Sequence, residues 1–220
     1  MAHSVRSCFS VLTASLLLAP FSSAFESPLS DHEVREAYFL GQRRDETMAR
    51  LLNGYTKFLT PPSTGPHIHA ITFLTPFALL VQHCSRQSNY SAQQAAKEHH
   101  AERESVVIQI EILLTQSYGP FITKPTSPRS DAPVGIQLRS PSFWRDIEFR
   151  VFDGVEERTP DMVTGQPNSL CGFKAGCRLT GATIRLEFPA NAFSSDWATI
   201  EVTPPQGDPV SVNFDLSSLR

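Results

Sequence analysis

Histidines and carboxylates are the side chains best placed to do chemistry here, and they fall in two short stretches. His67 and His69 stand two residues apart; on a strand that spacing projects both rings from one face, as a bidentate metal clamp requires. His99, His100 and Glu104 follow in a stretch that reads as helix, with His100 and Glu104 one turn apart. A helix crossing that strand would gather His67, His69, His100 and Glu104 into a mixed imidazole and carboxylate site for a divalent transition metal. The blander expectation has His67 and His69 as polar rim residues just after a Gly65-Pro66 turn, with the helix turning a charged face to water. That one is favoured, because nothing in the residues shows that the two segments meet. No G-x-S-x-G elbow, H-E-x-x-H pair, glycine-rich phosphate loop or EF-hand loop occurs. No catalytic residue is assigned, and no cofactor beyond that alternative metal.

The thiols point elsewhere. Cys171 and Cys177 enclose Gly-Phe-Lys-Ala-Gly, a spacing that lets two side chains meet across the base of a tight hairpin. A disulfide is expected over free thiols or half of a zinc site, since zinc wants about four ligands and there is no second Cys pair. Cys84 reads as a small buried hydrophobe. An oxidising compartment suits the disulfide, and the N-terminus agrees. A basic start at His3 and Arg6 precedes the apolar run from Val11 to Ala19, then Pro20 and the small exit Ser22-Ser23-Ala24. Residues 1–24 are expected to be a signal peptide cleaved before Phe25, the apolar run being too short to span a bilayer. The sequence offers no later membrane span. The excess of Arg over Lys, 15 to 4, points to a bacterial source and a periplasmic or extracellular destination.

Beyond the leader, two regions must position these groups. Residues 25–60 read as a helical arm: Ser30 and Glu33 form a capping box, and Val34, Ala37 and Tyr38 are followed at helical spacing by Met48, Leu51, Leu52, Tyr55 and Phe58. The arm is expected to dock through Leu52, Tyr55 and Phe58, its first half being held less tightly. Residues 66–220 read as strands with a helical insertion at about 76–103, and 76–86 stays open between helix and strand. Alternation is clear at Val106 to Leu114, Ile147 to Val151, Ala182 to Phe188, Ala198 to Val202 and Val210 to Leu216. Apolar-in, polar-out alternation between turn residues implies an antiparallel β-sandwich. Pro120 to Pro133 reads as a long surface loop. The fold class expected is α+β: a helical arm plus an antiparallel, immunoglobulin-like β-sandwich with a helical insertion.

Composition limits the function classes. The 220 residues are 40% hydrophobic and 19% charged, which excludes a disordered chain or a coiled coil. Net charge is −3; without the leader, 18 basic residues face 22 acidic ones, and no electrostatic reason remains to expect nucleic acid as a partner. The segment Ala198-Thr-Ile-Glu-Val-Thr-Pro-Pro-Gln-Gly-Asp-Pro-Val-Ser-Val-Asn-Phe-Asp-Leu216 resembles the final hairpin of bacterial immunoglobulin-like modules. Arg35-Glu-Ala-Tyr-Phe-Leu-Gly-Gln-Arg43 resembles exported bacterial proteins of unassigned function. The first resemblance implies a module that binds, spaces or scaffolds. The function expected is a non-catalytic envelope module contacting a protein or an envelope surface; the alternative is a metal-dependent or unrecognised periplasmic enzyme using the His/Glu cluster.

Overall fold

A computed structural model describes residues 24–125, 134–172 and 176–220. The expected leader, apart from Ala24, lies outside the described residues. In chain order come α1 (Asp31–Arg43), α2 (Glu46–Gly54), β1 (Thr56–Phe58), β2 (His67–Leu74), α3 (Pro76–Arg86) and α4 (Ala92–Ala101). Then follow β3 (Ser105–Leu113), β4 (Phe121–Pro125), β5 (Val134–Leu138), β6 (Glu148–Asp153), β7 (Glu156–Arg158), β8 (Met162–Gly172), β9 (Gly176–Pro189), β10 (Trp197–Thr203) and β11 (Val210–Asp215). The fold mixes helices with antiparallel sheets.

Local chemistry starts each helix. The Ser30 hydroxyl accepts from the Glu33 N–H while the Glu33 carboxylate accepts from the Ser30 N–H, closing the capping box at α1. Arg44 then turns left-handed, at φ 51°, and Asp45 caps α2. Thr75 caps α3 with Pro76 at its first position, so 76–86 is helix.

Two sheets share one apolar core. The larger has the order β1-β2-β3-β9-β8 and the smaller β11-β10-β6-β7. Ile108, Ile110 and Ile112 of β3 and Ile184, Leu186 and Phe188 of β9 meet Val151, Ile200, Val202 and Phe214 of the smaller sheet in a single cluster. Phe73 joins the two, its ring 5.1 Å from Phe193 and 5.8 Å from Phe214. Each such side chain, once buried, contributes roughly 1.5–3 kcal/mol. The opposite face of the larger sheet meets the helices through Leu74 and Val107, packed with Tyr55 and Ala78.

The arm departs from expectation in two ways. Residues 56–58 are not helix: Asn53-Gly54 ends α2, and Thr56–Phe58 pairs along β2, Phe58 opposite Ala70. Tyr55 and Leu52 do dock on the sheet beside Leu74 and Val107, but Phe58 does not, and the first half is held as tightly. Val34 and Ala37 are fully buried against Phe77, Val81 and Cys84 of the insertion, whereas Phe58 alternates outward on the edge strand and is 64% exposed. Gly41 permits the close crossing of α1 and α3, since a Cβ there would lie 2.5 Å from the Val81 carbonyl oxygen.

Arg220 stitches the layers together. Its N–H donates to the Tyr55 hydroxyl at 3.0 Å, and its carbonyl accepts from the Tyr55 and Thr75 hydroxyls. Its guanidinium forks onto Glu36 at 2.7 and 2.8 Å and lies over the Phe77 ring.

The stretch expected as a Pro-rich loop opens with a strand: β4 and β5 form a separate two-stranded ribbon, Phe121 opposite Leu138. Cys171 and Cys177 face one another across β8 and β9 and are joined, with their Cα atoms 3.9 Å apart. Cys84 is free and buried. Among the described residues no helix is long and apolar enough to cross a membrane.

Candidate functional site

The two histidine stretches lie at opposite ends of β3. His67 is opposite Leu113, whereas Glu104 immediately precedes Ser105. Nine residues of strand separate them by about 30 Å. His67, His69, His100 and Glu104 are therefore not brought together, and among the described residues no group of three or more His, Cys, Asp or Glu is placed to hold a metal.

The histidine pair on β2 is occupied internally. A bulge falls between Ile68 and Ala70, and the His67 and His69 rings touch edge to face at 5.3 Å. The buried His67 ring places Nε2 2.9 Å from the Leu59 carbonyl, which fixes that nitrogen as the donor. Phe58 packs edge-on against His69, whose Nδ1 is buried without a partner. The Leu59 carbonyl thus sets the His67 tautomer, with Nδ1 left as its acceptor nitrogen.

At the other end, α4 stops at Ala101 and Glu102 is already extended, so the one-turn relation of His100 to Glu104 is broken. His99 takes that place, with Nε2 2.9 Å from Glu104 Oε1. Glu104 also accepts from the Ser27 hydroxyl and the Leu29 N–H, both at 2.6 Å. Burial pushes the Glu104 carboxyl up, but the bonds from His99, Ser27 and Leu29 outweigh it and hold the group below its ordinary value. His100 turns outward to Asp31 at 2.9 Å.

Beside this tie, a cleft of about 370 Å³ opens between α3, α4 and the outer face of β3 and β9. That volume is at the lower end of small-molecule sites. Pro76, Leu79 and Val107 give it an apolar floor, and His83, Tyr90, Glu98 and His99 a polar wall. The Tyr90 hydroxyl donates to Glu98 at 2.6 Å, and His83 lies 3.8 Å from the same carboxylate. Burial, reinforced by the Glu98 charge, raises the Tyr90 phenol, and the Tyr90 bond lowers the Glu98 carboxyl. The phenol is thus held protonated as a donor. Ser27 donates to Glu104, whose other oxygen accepts from His99; the base facing this hydroxyl is a carboxylate held below its ordinary value, and no imidazole reaches the hydroxyl.

Sequence reasoning missed Asp153. Only 2% exposed, its carboxylate accepts from Arg158 at 2.9 Å, the Ser194 N–H and hydroxyl, and the Ser195 N–H. Burial raises this carboxyl and those four donors lower it further, so it stays charged. The one available signal was an acid at an apolar-phase position, two residues after Val151.

The large apolar side chains that stay exposed show where the surface is unusual. Phe121, Ile136 and Leu138 of the β4–β5 ribbon and Leu170 of β8 are 58, 77, 69 and 66% exposed. No protein-family model matches this sequence, and no curated protein matches it.

Proposed function

We propose that the chain is an exported, non-catalytic envelope module acting by contact with a protein or a surface. In this reading the two sheets form a β-sandwich of immunoglobulin-like kind carrying a helical layer. The apolar core common to both sheets supports that architecture. The Cys171–Cys177 bond is compatible with an oxidising compartment. One observation carries the functional reading. The groups suited to chemistry tie segments together, as Glu104 does with Ser27, Leu29 and His99, while four large apolar side chains stand exposed on two hairpins. Such surface marks contact with a partner. The arm's stripe through Val34 and Ala37 is already covered, and its exposed Phe39 and Phe58 stand on different elements.

A photo-crosslinking residue in place of Leu138, in cells exporting the protein, tests this against the same residue in place of Val155, which is 88% exposed in the β6–β7 turn. An adduct at 138 and none at 155 is expected. Absence of any adduct at 138 overturns the reading.

A further inference from the structure

Four of the exposed large apolar side chains, Phe121, Ile136, Leu138 and Leu170, share one end of the molecule. β3 stops at Leu113, opposite Gly181, but β9 continues past it through Gly176–Thr180, paired there only with Ser169–Gly172 of β8. That hairpin overhangs the sheet. The ribbon leaves from the same place: the Leu114 N–H donates to the Thr180 carbonyl at 2.8 Å, and Phe121 and Arg178 line one depression. Phe121 lies directly opposite Leu138, and Ile136 is two residues from Leu138, so all three side chains share one face of a ribbon only two strands wide. Such a ribbon has no second layer of its own to cover that face.

Charge at this end is opposite in sign to the whole. Among the described residues of 113–125, 134–139, 163–172 and 176–182, the charged ones are Lys124, Arg139 and Arg178, with no acid, in a chain of net charge −3. Protruding apolar side chains in a region rich in basic residues match an interface of acyl chains beneath phosphate headgroups. Over the sequence 113–139 and 163–182 five residues are basic and Asp131 alone is acidic, an excess that suits a phosphate surface.

We propose that this end seats on an anionic lipid surface, a step that rests on the interaction reading above and names its partner. Ile136 and Leu138 enter the headgroup boundary, and Arg178 reaches the phosphates. The full chain is sedimented with vesicles of phosphatidylcholine alone and of equimolar phosphatidylcholine and phosphatidylglycerol. Cosedimentation is expected with the mixed vesicles, weakening as salt is raised. The double substitution Ile136→Ser, Leu138→Ser lowers partitioning by at least about tenfold. Arg178→Glu lowers it by on the order of tenfold. Both variants keep the wild-type melting temperature. No cosedimentation, equal binding to both vesicles, or binding that survives both variants, as an apolar leader would produce, overturns the proposal. A wild-type dimer that Ile136→Ser dissociates would assign the stripe to a second copy. That outcome overturns the lipid proposal and leaves the interaction reading standing, whereas a missing Leu138 crosslink removes both.

Discussion

At Glu104 one carboxylate collects donors from a segment 75 or more residues away and from the end of α4, with a side chain only 12% exposed. Its folded value lies below the ordinary 4.5, so its contribution is complete above that pH and is lost as pH falls through the folded value. Glu104→Gln should cost about 2–3 kcal/mol at pH 7, since the donors lose a charged acceptor. The gap between wild type and variant should then narrow in thermal melts taken toward pH 3. An equal gap at both pH values would mean the tie is not ionic. Asp153→Ala leaves the Ser194 and Ser195 N–H groups without an acceptor and Arg158 with Glu156 alone, and should cost about 3–5 kcal/mol by denaturant unfolding. Residue types singled out Glu104 but paired it with His100, whereas α4 ends at Ala101 and His99 reaches it instead. Asp153 was invisible because its partners, Ser194 and Ser195, lie more than 40 residues on.

Elements were legible in proportion to their length and to the regularity of their alternation. β9, where Ala182, Ile184, Leu186 and Phe188 are all buried, is read directly from period two. β1 has three residues, too few for a period, and exists only because β2 offers an edge. The stripe through Val34, Ala37 and Gly41 was visible, but how tightly the first half of the arm is held depends on α3, whose own class the residues left open. Gly41→Ala tests the crossing: its Cβ would press on the Val81 carbonyl and Cys84, and a loss of about 1–3 kcal/mol is expected. Gly54→Ala, with nothing within 4 Å, serves as control and should not destabilise. Similar losses at both positions would move the cause from packing to the helices themselves.

Over the whole molecule the arm is part of the core, not an appendage. Phe25 packs on Phe73 in the sheet core, while Val34 and Ala37 close the helical cluster. Deleting 25–60 should therefore expose Phe77 and Val81, with dye binding and a lowered melt; a dye-silent, unshifted truncation would show that the helices stand alone. Cys84 lies under this layer, where burial pushes its thiol up to about 11. Native protein should show one linked Cys171–Cys177 peptide and a Cys84 that resists alkylation until unfolding; rapid native labelling of Cys84 would show that the layer opens. The Arg220 stitch has a consequence in time. Glu36 and its guanidinium partner are 184 residues apart. At roughly 5–20 residues per second of synthesis, that span takes on the order of 10–40 s to make. The apolar stripe of α1 can be covered as soon as Phe77 and Val81 of α3 follow it, about 40 residues on, whereas the clamp on Glu36 waits for Arg220. The helical layer can thus close early and its tie to Arg220 late, and the folding rate should follow that long-range closure more than any helix propensity.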